Sequence, residues 1–104
     1  MAGGGPVGRF AVLCTLDVGS PSAIAERRLD HLAHVAAHRD LIAFGGVVGD
    51  APGPPERILY FLDVADRGGA EAFVAADPYA PLYTSVRIEP FSQRLPEPHP
   101  PEEP

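Results

Sequence analysis

Two side chains in this sequence are of types that serve acid–base chemistry and stand in settings that invite a chemical reason. One is His31, inside a helix-like run, and the other is Asp77, in the stretch Ala75-Ala76-Asp77-Pro78-Tyr79. The residue before a proline is pushed out of the α region, so Asp77 marks the end of a helix. A carboxylate there opposes the helix dipole, whose C-terminal end favours cations. Two readings follow. The Asp folds back onto the backbone of its own turn, or it pairs with a distant partner, for which His31 is the best candidate. A carboxylate bonded to one imidazole nitrogen fixes the tautomer and leaves the other nitrogen free as a general base or acid.

Other constellations carry less. His31, His34 and His38 fall within about 60° on a helical wheel, and His34 and His38 have the i, i+4 spacing that can hold a metal. Val35 follows His34 where a metalloprotease helix has Glu, and no cysteine joins the group. Zinc sites use three or four placed ligands, so a solvated polar flank and no metal are expected. Gly45-Gly46 can bring backbone N–H groups to a small anion, but strand geometry explains the pair equally well. The Lys-Ser/Thr ending of a phosphate loop is missing. Cys14 lies within the apolar run Phe10–Leu16, where a thiol is usually a small buried hydrophobe. No G-x-S-x-G pattern and no nucleotide or flavin fingerprint occurs, so no cofactor is expected.

These residues must be positioned by a small scaffold. The chain has 104 residues and 45% hydrophobic content, which suits one compact domain. A net charge of −6 argues against a nucleic-acid ligand, which needs a basic face. No apolar run approaches the ~20 residues of a membrane span, and Met1–Gly8 lacks a signal-peptide core. A single cysteine forms no internal disulfide, so a reducing, cytoplasmic compartment is expected.

In order, residues 1–8 are Gly-rich and expected to be disordered, and Arg9–Leu16 is a continuous apolar strand. Ser20-Pro21 supplies an N-cap and a first-position proline for a helix from Pro21 to His38. With His31 at zero on the wheel, Val35 falls near 40°, Leu32 near 100°, Ala25 near 120°, Ala36 near 140° and Leu29 near 160°. That arc is expected to be buried, with Arg28 inside it and His31 at its edge beside Ile24. Leu41–Val48 reads as a second strand interrupted by Gly45-Gly46, and Gly49–Pro55 as a turn-rich loop. Arg57–Val64 is a third strand, with Ile58, Tyr60 and Leu62 on one face and Leu59, Phe61 and Asp63 on the other. Arg67–Ala76 is a short helix packing through Ala70, Phe73 and Val74. Thr84–Phe91 is a fourth strand that Pro90 ends or places at an edge. Residues 95–104 are Pro- and Glu-rich and expected to be a disordered tail, which leaves one domain over 9–94. The order β-α-β-β-α-β is the split pattern of ferredoxin-like α+β folds with a four-stranded antiparallel sheet. Both faces of the third strand are apolar, so a second copy packed sheet against sheet is the economical cover.

Four stretches together resemble the YCII-related (YciI-like) family over roughly residues 9–92. They are Arg28-Leu29-Asp30-His31-Leu32-Ala33-His34-Val35, Leu41–Gly46, Ala76-Asp77-Pro78-Tyr79 and Val86-Arg87-Ile88-Glu89-Pro90-Phe91. The resemblance implies a ferredoxin-like α+β barrel formed by dimerisation and a His-Asp dyad at His31 and Asp77. It implies substrate contacts at Arg28, Gly45, Gly46 and Tyr79, with Arg28 anchoring an anionic group. Two features depart from the family pattern. Gly46 stands where proline is common, and Ala80-Pro81-Leu82-Tyr83 is a shortened segment without its usual glycine. Both imply a reshaped pocket wall.

Three functional classes compete. The first is an enzyme that eliminates from or isomerises a small organic acid or ring-derived compound without a cofactor, the resemblance extending to dehydrochlorinase-type elimination. The second is a dimeric, non-catalytic module that binds a small metabolite. In the third, Asp77 caps a turn and His31 packs at a helix edge. The partners expected are a second copy of the chain and a small molecule, with no nucleic acid and no membrane.

Overall fold

The computed structural model describes residues 8–17, 19–49 and 56–96. Six elements follow in order: β1 (Gly8–Leu16), α1 (Pro21–Ala37), β2 (Ile42–Val48), β3 (Arg57–Val64), α2 (Arg67–Ala75) and β4 (Tyr83–Pro90). Short 3₁₀ turns, Arg39–Leu41 and Ala80–Leu82, lead into β2 and β4. The sheet has four strands in the order β2-β3-β1-β4, with every neighbouring pair antiparallel. This is the ferredoxin-like α+β arrangement. Within one chain the sheet stays open, with β2 and β4 as its edges, and does not close into a barrel. Pro90 is the last residue of an edge strand, where its missing N–H costs no ladder bond. Gly8 already belongs to β1, while the rest of the expected disordered start (1–7), the loop 50–55 and the tail beyond 96 lie outside the described residues. No helix among the described residues is long and apolar enough to cross a membrane.

Alternation along the strands builds the core. Val12, Cys14 and Leu16 of β1, Ile58, Tyr60, Leu62 and Val64 of β3, and Ile88 of β4 are buried on one face. Ile24 of α1 and Ala70, Phe73 and Val74 of α2 close over them. Each fully buried branched or aromatic side chain contributes about 1.5–3 kcal/mol relative to exposure. Asp66 caps α2, its carboxylate accepting from the Gly69 N–H at 3.0 Å. On the far face Phe44 stacks on Phe61 at 4.4 Å between ring centres, and Phe91 meets Phe61 edge-on at 4.7 Å. Arg9 and Asp63, opposite each other on β1 and β3, form a two-pronged ion pair at 2.6 and 3.0 Å beside them. Phe44 remains 54% exposed.

Helix α1 corrects the expected buried arc. Its buried residues are Ile24, His31 and His34, while Leu29 and Leu32 are 78% and 45% exposed and Ala25 and Ala36 are also exposed. The inward face is thus rotated by roughly a quarter-turn from the arc that hydrophobicity alone selects. The physical reason is that both imidazoles find polar partners inside, which removes the usual penalty on burying them. The three histidines are therefore not a solvated flank. Ser20 does precede the helix, but its hydroxyl makes no bond to the helix end and instead reaches Asp17 at 3.5 Å.

Two irregularities in the sheet shape the site. In β2 the register shifts between Ile42 and Phe44, just ahead of the paired glycines. A Cβ on Gly45 would stand 2.7 Å from the Leu59 carbonyl oxygen, so a side chain is excluded by the neighbouring strand. Gly46 faces open space. Where β1 pairs with β4, Thr15 opposes Ser85 but Leu16 opposes Tyr83, so Thr84 is an extra residue. That bulge turns Tyr83 to the same side as the buried Leu16.

Candidate active site

Helix α1, the turn after α2 and the start of β4 converge on Asp77, which is 2% exposed. Its Oδ1 accepts from the Tyr79 N–H at 2.9 Å, an Asx-type turn, and also lies 2.9 Å from His31 Nδ1. Both readings of the Asp77 position therefore hold at once. Oδ2 accepts from the Tyr83 hydroxyl at 2.6 Å. Burial alone raises a carboxyl pKa, but the hydrogen bonds from His31, Tyr83 and the Tyr79 N–H outweigh it and hold Asp77 below its ordinary value. An ionised carboxylate can only accept, so His31 must donate from Nδ1. The lone pair then sits on Nε2, which makes no protein hydrogen bond among the described residues.

His31 forms part of the wall of a cleft of about 310 Å³ between α1 and the β2–β3 edge. Arg28, Gly45, Gly46, Tyr79 and Tyr60 share the polar part of that wall, and Leu32, Val35, Ile42, Val47 and Ile58 form the apolar part. Of the residues singled out from sequence, His31, Arg28, Gly45, Gly46 and Tyr79 line the cleft, and Asp77 stands behind His31. Tyr79 is 3% exposed and lays its ring flat on the imidazole, 4.1 Å between centres and 15° between planes. Burial pushes its hydroxyl pKa up, against the opposing pull of Arg28. Both glycines line the cleft; the close approach at Gly45 comes from the Leu59 backbone, whereas nothing stands within 4 Å of where a Cβ on Gly46 would lie.

No protein-family model and no curated protein matches the chain. Among solved structures it is similar to 5-chloro-2-hydroxyhydroquinone dehydrochlorinase from Burkholderia phenoliruptrix AC1100, in complex with 2,5-dihydroxybenzoquinone. The TM-score is 0.72 at 20% sequence identity, covering 81% of this chain and 93% of that one. At that identity the likeness shows the fold.

Three contributors were not legible as site residues in the sequence. Tyr83 reaches Asp77 only because of the bulge at Thr84, which period-two alternation hides. Arg27 Nη1 donates to the Pro78 carbonyl at 3.1 Å and ties the Asp77 turn to α1. Tyr60 lines the cleft, and its buried hydroxyl has no hydrogen-bond partner among the described residues; burial raises its pKa far above the ordinary phenol value, and it stays neutral. Cys14 lies in the same interior, its thiol pushed up to about 12, chiefly by burial, and is no nucleophile. His34 and His38 are engaged elsewhere. His34 Nε2 lies 3.0 Å from the Phe73 carbonyl and His38 Nδ1 lies 2.8 Å from the His34 carbonyl, so each ring donates there.

Proposed function

We propose that this chain belongs with the YciI-like proteins and is a cofactor-independent acid–base enzyme that eliminates from, or isomerises, a small organic acid or ring-derived compound. The observation that carries the reading is the buried His31–Asp77 contact through Nδ1, with the His31 ring forming part of a cleft wall. In an elimination, His31 Nε2 takes a proton from the substrate. The electron pair released forms the new double bond, and the leaving group departs as an anion. Asp77 holds the imidazole in the required tautomer and balances the imidazolium that forms. Arg28, on the cleft wall, holds a carboxylate or the developing enolate oxygen. The apolar wall and the flat Tyr79–His31 stack suit a single-ring compound. The fold likeness to an enzyme that eliminates chloride from a hydroxylated ring supports that class. A second copy covering the Phe44–Phe61–Phe91 face belongs to the same reading, supported by that half-covered aromatic cluster.

The test is turnover of chlorinated hydroxyhydroquinones and related ring acids by wild type, His31→Ala and His31→Gln. A general base contributes roughly 10²–10⁴-fold, so His31→Ala should lose at least about 100-fold in kcat/KM. Turnover that survives both substitutions rejects the enzyme. Binding without turnover that persists in His31→Gln leaves a metabolite-binding module.

A further inference from the structure

The second oxygen of Asp77 is held by a residue outside the pair. Tyr83 donates to Oδ2 at 2.6 Å, while Oδ1 is shared between His31 and the Tyr79 N–H, each at 2.9 Å. A short O–H···O⁻ bond is among the stronger hydrogen bonds a protein makes. The groups that face Asp77 come from every neighbouring element: His31 and His34 from α1, Cys14 from β1, Tyr60 from β3, Tyr79 from its own turn and Tyr83 from β4. Cys14, Tyr60 and Tyr83 are all kept protonated, chiefly by burial, so no second anion competes with the carboxylate.

We propose that Tyr83 is a positioning residue for the His31–Asp77 pair: its hydroxyl keeps Asp77 an acceptor at both oxygens and thereby keeps the lone pair of His31 on Nε2, facing the cleft. The step from Tyr83 to the cleft is a matter of proton direction. A carboxyl that gains a proton becomes a donor. Once it donates to His31 Nδ1, the imidazole proton must sit on Nε2, and the nitrogen in the cleft loses the lone pair that a base needs. Three donors aimed at Asp77 oppose that inversion, and Tyr83 makes the shortest contact of the three. The buried Tyr60 hydroxyl has no hydrogen-bond partner among the described residues. The proposal rests on the acid–base reading of the pair, but its test needs no substrate.

The experiment is ¹⁵N NMR of the imidazole rings in the 104-residue chain, whose shifts report which ring nitrogen carries the proton. Wild type, Tyr83→Phe and Tyr60→Phe are compared between about pH 5 and 8. Wild type should show His31 with its proton on Nδ1. Tyr83→Phe should raise the Nε2–H fraction by roughly tenfold, the scale of one hydrogen bond to a charged group. Tyr60→Phe, which removes a hydroxyl without a hydrogen-bond partner among the described residues, should leave that fraction unchanged. Once a substrate is known, the acid limb of kcat/KM should shift upward in Tyr83→Phe, with the plateau within a few-fold of wild type. A purely structural role would instead lower activity equally at every pH. A folded Tyr83→Phe protein with an unchanged His31 signature overturns the proposal. Should that variant not fold, wild type must still show a slowly exchanging, downfield Tyr83 hydroxyl proton that disappears in Asp77→Asn, and its absence overturns the proposal equally. An intact tautomer lock in a protein that turns over nothing rejects the enzymatic reading and leaves this one standing.

Discussion

On the inner side of α1, His31 and His34 are 7% and 9% exposed, whereas on its outer side Leu29 is 78% exposed. Hydrophobic partition alone would reverse that order. It is reversed here because each imidazole reaches a polar partner in the interior, the Asp77 carboxylate for His31 and the Phe73 carbonyl for His34. The two histidines then diverge, although they lie one turn apart on the same face. His34 is packed against the Phe73 and His38 rings, and burial lowers its pKa, so it stays neutral and structural. His31 has a carboxylate on Nδ1, and its ring lines the cleft. Equal burial with different partners separates a packing histidine from a candidate base.

The strongest way to break this contrast is to remove the partner that distinguishes His31. Asp77→Ala strands three donors: the His31 Nδ1–H, the Tyr79 N–H and the Tyr83 hydroxyl. Leaving buried donors unpaired costs about 1–3 kcal/mol each, though water entering the space vacated by Asp77 recovers part of that. A net loss of about 3 kcal/mol is expected, read as a lower urea midpoint at unchanged slope. A loss below about 1 kcal/mol would mean that Asp77 contributes no more than an ordinary turn residue.

Acid titration separates the two regions further. The folded-state pKa of His34 lies below its unfolded value, because burial disfavours the charged ring. Its contribution to stability is therefore complete above the unfolded value of about 6.5 and is lost as pH falls from there through the folded value. Asp77 is also depressed, by its hydrogen bonds against burial, so its contribution is complete above about 3.9 and is lost at lower pH. Stability should decline in two windows on acidification. His34→Gln should remove most of the first window and leave the second in place. Denaturant midpoints at successive pH values measure this. A first window that survives His34→Gln would assign it to another histidine.

Much of this arrangement was legible beforehand, for identifiable reasons. The strand alternation of Ile58, Tyr60 and Leu62 and the packing triplet Ala70, Phe73 and Val74 announce themselves because sheets and short helices bury by simple periods. Asp77 was visible because proline restricts the residue before it, and the observed turn uses that restriction. Hydropathy selects a different face of α1 because it treats His as polar and carries no signal of the carboxylate and the carbonyl that await it inside. Tyr83 was invisible for a different reason. Strict alternation from Ile88 and Val86 assigns the inner face to Thr84, and only the bulge against Thr15 and Leu16 transfers it to Tyr83. Polar partners and bulges are both non-local, and one chain's periodicity does not encode them.

The smallest expected effect tests the outer side of α1. If its leucines are outward-facing in the working protein, Leu29→Lys should change chain stability by less than about 0.5 kcal/mol, the ordinary range for an exposed position. A lysine stem still covers neighbouring apolar surface, and the added charge lies near Asp30 and Glu26 on the same helix. The informative readout is oligomeric state by sedimentation. A dimer built through the Phe44–Phe61–Phe91 face lies on the opposite side of the sheet from α1, so Leu29→Lys should leave it intact, whereas Phe61→Lys should dissolve it. If Leu29→Lys alone dissolves the dimer, the leucine side is the interface. The exposure of Leu29 would then be that of a surface awaiting its second copy, and the contrast between the two sides of α1 would become one between a site and a seam.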